Sequence, residues 1–168
     1  MKSVEPANQE AGRRRRRLDR EVRTSLRDVG IQLALLNHQV RGQLELKGAD
    51  LECLDLISRE GPLSPSALAR RTGLHPATLT GILDRLERGG WIVRERDPAD
   101  RRAVLIRAER DRGAEVFRLY SGMNSAMDQI IGEYDEDQLE LVAGFLRRTA
   151  EAGQAAAREL ADGPAEGR

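Results

Sequence analysis

The sequence predicts a mostly α-helical protein carrying one small β-hairpin. Three observations predict it. Apolar residues recur at spacings of three and four over most of the chain. Strand-like alternation is confined to Trp91–Arg96 and Ala103–Arg107. Only six prolines occur in 168 residues, and Gly73 and the Gly89-Gly90 pair stand at the ends of apolar stripes.

The densest signals lie between Leu63 and Arg107. A first short helix starts at Ser64, a good N-cap, with Pro65 in the first helical position, where its missing N–H is harmless. Leu63 and Leu68 are placed to staple that start, and Gly73 supplies a left-handed stop. A second helix repeats the device, with His75 as cap, Pro76 in the first position and Leu74 with Leu79 as the staple. Leu79, Ile82, Leu83 and Leu86 then form one apolar stripe, ended by Gly89-Gly90. A hairpin follows, with Ile92, Val104 and Ile106 as inward positions and Asp97-Pro98-Ala99-Asp100 as its turn. Two helices at this spacing followed by a basic hairpin form a winged helix-turn-helix.

The outer face of the second helix carries Ala77, Thr78, Thr80, Gly81, Asp84, Arg85 and Arg88. A helix laid N-terminus first into a major groove needs this gradient. Small residues permit close approach, hydroxyls reach bases or phosphates, and arginine reaches phosphate. An isolated helix with this face reads as a solvated surface; the neighbouring helix and the hairpin favour DNA.

The run from Leu63 to Arg107 resembles the DNA-binding half of MarR-family transcriptional regulators. The resemblance rests on Asp84-Arg85-Leu86-Glu87 followed by Gly89-Gly90-Trp91-Ile92-Val93-Arg94, and on Asp97-Pro98-Ala99-Asp100-Arg101-Arg102. It departs at Gly81, where the family often has arginine, and at Glu109-Arg110, where it often has Leu-Thr. Residue chemistry and resemblance together name Ser64, His75, Pro76, Ala77, Thr78, Thr80, Arg85, Arg94, Arg96, Asp100, Arg101 and Arg102 as DNA-binding candidates. Asp100 and Arg102, two apart on a hairpin, point the same way, so the carboxylate can orient the guanidinium. The resemblance implies the same pairing, with Arg102 entering a minor groove; Arg101 is expected to point to phosphate.

Composition bounds the rest. Lys+Arg and Asp+Glu both total 28, so a DNA binder of zero net charge must segregate its charge. Arginines cluster at 13–17, 70–71, 85–88 and 94–102, and acid at 133–140. No apolar run approaches the ~20 residues of a membrane span, and no apolar segment follows the basic N-terminal stretch as in a signal peptide. A single cysteine excludes an internal disulfide and fits a reducing cytoplasm. His38, His75 and Cys53 are too scattered for a zinc cluster, so neither metal nor cofactor is expected. No phosphate loop, nucleophile elbow or other catalytic constellation is present, so the chain is not expected to be an enzyme.

Five segments are expected in order. Residues 1–17 read as a disordered basic tail ending in Arg13–Arg17, serving either as a DNA arm or as a solvated lead-in. Residues 18–47 hold a long helix whose Val22, Leu26, Val29, Leu33, Leu36 and Val40 form a heptad-like seam. Residues 48–108 hold the winged domain, beginning with a short helix that turns Leu51, Leu54 and Ile57 inward. Cys53 lies in that helix as a small core residue, since nothing nearby in sequence marks the lowered pKa of a peroxide-sensing thiol. Residues 109–152 hold one helix from Glu109 to Glu133, with Val116, Tyr120, Met123, Met127 and Ile130 as its seam. A last helix follows, boxed by Asp135 and Gln138 and apolar at Leu139, Val142, Phe145 and Leu146. Residues 153–168 are expected to fray. Val22, Leu26, Val29, Leu33, Val116, Tyr120, Met123, Leu139 and Leu146 are the candidate dimerisation residues, because the resemblance implies that the terminal helices interlock between two chains.

The function expected is that of a homodimeric regulator binding double-stranded DNA at a pseudo-palindromic operator, of the repressor kind, released by a small-molecule effector. A winged-helix module that binds protein instead of DNA is the rival.

Overall fold

A computed structural model describes residues 4–100 and 102–161, with side chains described from residue 9 to residue 160. Arg101, one of the DNA-binding candidates, lies outside the described residues, as do the first three and last seven residues of the expected tails. The chain forms two units, Met1–Leu46 and Lys47–Arg168.

The first unit is a single helix, α1, Val4–Leu44. The expected tail is therefore helical from residue 4 on, and the arginine run lies inside α1. The reason is local. Arg, Glu, Gln and Ala are strong helix formers, and Pro6 falls in the first turn, where no helical N–H is required of it. Val22, Val29, Ile31, Leu33 and Leu35 stay exposed along this helix.

The second unit carries everything else. It comprises α2 (Asp50–Glu60), α3 (Pro65–Thr72), α4 (Pro76–Arg88), β1 (Ile92–Arg96), β2 (Val104–Ala108), α5 (Arg110–Leu119), α6 (Ser121–Ile131) and α7 (Glu136–Ala161). Its core draws one apolar stripe from each element of the winged fold. Leu51, Cys53, Leu54 and Ile57 come from α2, Leu68 from α3, and Leu79, Ile82, Leu83 and Leu86 from α4, with Trp91, Ile92 and Ile106 closing the hairpin side. Each such aliphatic side chain contributes roughly 1.5–3 kcal/mol on burial.

The caps form as the sequence predicts. The Ser64 hydroxyl accepts the Ala67 N–H at 3.2 Å, and Gly73 closes α3 in the left-handed region at φ 68°. At α7, the Asp135 carboxylate accepts the Gln138 N–H at 2.9 Å while the Gln138 carbonyl accepts the Asp135 N–H at 3.0 Å, a complete capping box.

The strands pair antiparallel, Ile92 opposite Ala108, Arg94 opposite Ile106 and Arg96 opposite Val104. Leu63 adds a short third rung, exchanging backbone bonds of 3.0 and 2.8 Å with Ile106. Ile92 and Ile106 are buried as expected, but Val104 is 40% exposed. It shares their face, yet pairs at the last rung, where the hairpin has run past the helices beneath it.

The helix expected over Glu109–Glu133 is two helices. It breaks at Tyr120, which ends α5 and begins α6 with φ −90° and ψ 0°. Ser121-Gly122 follows the break, and both are weak helix formers. The C-terminal helix continues to Ala161 through an alanine-rich stretch that was expected to fray from residue 153.

One junction ties α4, the hairpin and α5 together. Gly90 takes φ 68°, which returns the Trp91 N–H to the Leu86 carbonyl at 2.9 Å. The Trp91 ring then folds over Gly89, where a Cβ would meet its Cδ1 at 2.7 Å. The Arg112 guanidinium of α5 stacks over the same ring, 3.7 Å from its centroid.

Candidate nucleic-acid interface

The start of α4 is exposed on the winged domain. His75 caps it through Nδ1, which accepts the Ala77 N–H at 3.3 Å. His75, Pro76, Ala77, Thr78 and Thr80 are all exposed, whereas Leu79, Ile82, Leu83 and Leu86 on the other side are buried. The helix therefore has one fixed and one available face. Thr80 donates its hydroxyl to the Pro76 carbonyl at 2.9 Å, which leaves its oxygen as an acceptor and its methyl as a contact surface. Ser64 sits at the start of α3 with its hydroxyl engaged in the cap and 3.1 Å from Ser66 Oγ.

Two of the DNA-binding candidates, Arg85 and Arg94, prove to be held by carboxylates. Arg85 forks onto Asp50, Nη2 to Oδ1 at 2.6 Å and Nε to Oδ2 at 3.2 Å. That hydrogen-bonded pairing holds the Arg85 pKa above its usual value. Arg94 lies between two acids of α4, 2.6 Å from Asp84 and 2.6 Å from Glu87. The register explains this: Arg94 is directly opposite the buried Ile106, so it shares the inward face and meets α4. Arg94 joins wing to helix instead of standing out toward a ligand. Period-two alternation from Ile92, together with acids at i and i+3 on the preceding helix, is the signal that would have found it.

The wing tip is ordered by carboxylates acting on backbone. Asp97 accepts the Ala99 N–H at 2.8 Å and Asp100 accepts the Arg102 N–H at 2.9 Å. The Ala103 N–H closes the turn on the Asp100 carbonyl at 2.9 Å. Asp100 thus holds the main chain of Arg102, and the expected ion pair between their side chains does not form. A carboxylate two residues back reaches the local N–H with less ordering than a long guanidinium requires. Arg96 and Arg102 are exposed and enter no ion pair among the described residues. On the outer face of the hairpin, Arg107 is hydrogen-bonded to Glu95 at 2.7 Å, which lowers the Glu95 pKa and raises that of Arg107.

Cys53 is fully buried, and burial, followed by the nearby charges of Asp50 and Glu52, pushes its pKa to about 11. Its thiol stays protonated and sheltered at neutral pH, as a core residue does. Among the described residues no group of three His, Cys, Asp or Glu is arranged to hold a metal ion, and no helix is long and apolar enough to cross a membrane.

The candidate dimerisation residues lie outside this site. Val22, Val29, Leu33, Met123 and Leu146 are each more than a third exposed, and Leu26, Val116, Tyr120 and Leu139 are half-buried. Phe117, Leu141 and Val142 extend the exposed apolar surface of the C-terminal helices.

An available helix start in a helix-turn-helix, beside a hairpin with exposed arginines, defines a winged helix-turn-helix protein of the DNA-binding kind. The MarR family model matches residues 47–104. The chain is also 35% identical over 143 residues to YcgE of Bacillus subtilis, an HTH-type transcriptional regulator, covering 79% of this chain and 91% of that protein. The chain belongs to the MarR family, and its place is among transcriptional regulators, not enzymes. YetL of Bacillus subtilis, named as an HTH-type transcriptional repressor, is 27% identical over 89 residues, 53% of each chain. A crystal structure of MarR superposes with a TM-score of 0.52 at 28% identity, over 79% of this chain and 96% of that one. The regulator Tm0710 of Thermotoga maritima shares the fold with a TM-score of 0.58 at 24% identity, over 82% and 96%.

Proposed function

We propose that this regulator acts in the cytoplasm as a homodimeric repressor, each subunit placing the start of α4 in one major groove of a pseudo-palindromic operator. The observation that carries the reading is the division of α4 into a buried leucine-isoleucine side and an exposed start of His75, Pro76, Ala77, Thr78 and Thr80. Burial of one side fixes which residues face outward, and small and hydroxyl-bearing residues at a helix start suit close approach to base edges. Arg96 and Arg102 of the wing, exposed and without an ion pair among the described residues, supply positive charge suited to phosphate or a narrow minor groove. The exposed apolar residues of α1, α6 and α7 support a second copy as the partner. A small-molecule effector that alters the spacing of the two α4 helices completes the reading.

A gel shift against the DNA upstream of the protein's own coding region tests it. A complex that survives excess unrelated duplex, and that weakens when Thr78 and Thr80 are both changed to alanine, is the expected result. Loss of a base contact costs about 1–3 kcal/mol at one operator position. Equal binding of all duplexes would refute sequence preference, and no binding at all would favour the protein-interaction reading.

A further inference from the structure

Among the described residues Asp50 is the one buried acid, with a relative exposure of 2%. It opens α2, far in sequence from the helix it serves. Its Oδ2 accepts the Lys47 N–H at 3.1 Å and Arg85 Nε at 3.2 Å, and its Oδ1 accepts Arg85 Nη2 at 2.6 Å. Asp50 is therefore anchored to its own backbone turn before it grips the arginine. Chelation through Nε and Nη2 uses one edge of the guanidinium and leaves Nη1 on the other. The Arg85 side chain is 39% exposed against 3% for Asp50, so the free edge is the wet one. Nη1 lies 3.7 Å from the place where a Cβ on Gly81 would sit, so the guanidinium is laid back along α4 over a residue with no side chain. Ala77, Thr78, Gly81 and Arg85 follow one another at helical spacing on one face. Among the described residues nothing accepts from Nη1.

We propose that Asp50 is a positioning residue for DNA binding, holding Arg85 so that Nη1 presents its two N–H groups over Gly81 as a pre-set phosphate donor. The proposal rests on the reading that α4 enters the groove. It differs from a plain surface arginine in one respect. A free arginine must lose rotamer freedom on meeting phosphate, whereas this one has lost it on folding. The buried carboxylate adds no DNA contact of its own and acts only through the direction it gives the guanidinium.

The test uses the full chain and a duplex selected from a randomised library by the wild-type protein. Affinity is measured across a salt series for wild type, Asp50→Asn, Arg85→Ala, Arg85→Lys and the double variant Asp50→Asn/Arg85→Ala. The expected result for Arg85→Ala is a salt slope lower by about 0.9 per lost phosphate contact, with sequence preference retained. Asp50→Asn should reproduce most of that loss, the double variant should be no worse than Arg85→Ala, and lysine should not rescue, because it carries the charge without the fork. A methylphosphonate substituted at one operator phosphate should weaken wild type and leave Arg85→Ala unchanged. An Asp50→Asn protein that folds and keeps the wild-type slope, or an Arg85→Lys protein with full affinity, overturns the proposal. Should Asp50→Asn fail to fold, the wild type still decides. Its Arg85 Nε–H resonance should persist on adding DNA while the Nη resonances move, and loss of the Nε–H signal in the complex overturns the proposal. A wild-type protein that selects no duplex fails the DNA reading itself, which separates the two failures.

Discussion

The winged domain and the terminal helices are built on the same apolar spacing, yet only one of them covers what it exposes. Leu68, Leu86 and Ile106 of the winged domain have no accessible surface, and Ile57 and Ile92 retain 1% each. Leu141 of α7 is 73% exposed, Phe117 of α5 65%, and Val29 of α1 52%. The short helices of the winged domain cross one another and a hairpin, so each stripe finds a neighbour in its own chain. The long helices carry seams that continue past any local neighbour. Apolar surface on this scale, repeated at heptad-like spacing, is the mark of a partner helix, and the proposed second copy supplies one. The difference teaches that the winged domain closes its core within one chain, while the terminal helices leave apolar seams for the proposed second copy to cover.

The largest effect that would break this comparison comes from charge. Leu33→Glu combined with Met123→Glu places carboxylates on both proposed seams, where burial without a partner costs several kcal/mol per ion. Sedimentation should show a monomer or an unfolded chain, and wild type should sediment as a dimer at micromolar concentration. A wild-type monomer removes the dimer.

A matched pair of truncations sharpens the same contrast. Leu86→Ala opens a cavity in a closed core and should lower stability by about 2–5 kcal/mol. That loss belongs to the domain itself, so the second-region comparison lies in Leu146→Ala. Its effect should grow on dilution, because in the proposed dimer the surface Leu146 covers belongs to the second copy. Thermal denaturation over a hundredfold range of protein concentration separates them, and a dilution-independent midpoint for Leu146→Ala would place that residue outside any interface.

A smaller effect tests the junction between the regions of the second unit. Gly89 has helical backbone angles, so alanine gains a little intrinsic helix propensity there. Against that gain stands a Cβ 2.7 Å from Trp91 Cδ1 and 2.9 Å from Nε1, on a buried ring capped by Arg112. Overpacking of this kind costs about 1–3 kcal/mol and should win. Trp91 is the single tryptophan, so its fluorescence reports the shift directly. Unchanged emission and midpoint in Gly89→Ala would mean the ring moves freely.

Much of the winged domain was legible because its signals are local. Ser64, Gly73 and Pro76 act within four residues of themselves, as does the Asp135-Gln138 box of α7 outside the domain, and the stripe Leu79, Ile82, Leu83, Leu86 needs only helical periodicity. What escaped were effects of distance or competition. Asp50 and Arg85 meet across 35 positions, which no local pattern encodes. Arg94 looks like a ligand-facing cation until the register turns it toward Asp84 and Glu87. The break at Tyr120 was hidden because a seam with 4, 3, 4, 3 spacing passes straight through it. The arginine run joined α1 because helix propensity prevailed over like-charge repulsion between exposed side chains.

The smallest effect concerns the wing tip, where the structure changes the expected reason without removing the residue. Asp100 fixes the turn through the Arg102 N–H, and the Arg102 guanidinium is left exposed. An arginine held by its backbone is placed at the tip but free to search with its side chain. Its contribution should therefore be that of one cation: Arg102→Ala lowers the salt slope by about 0.9 and reduces any preference for A·T-rich flanks, whose narrow minor groove is more negative. Asp100→Ala removes a negative charge near the DNA while loosening the turn, two effects of opposite sign. Asp100→Asn separates them, since its side-chain carbonyl still accepts the Arg102 N–H without the charge. Asn should bind at least as well as wild type, and Ala less well than Asn. If Ala and Asn bind alike, the turn does not matter and the carboxylate acts only through its charge. If Arg102→Ala matches wild type across the salt series on both A·T- and G·C-flanked duplexes, the wing takes no part in recognition, and the available face of α4 carries it alone.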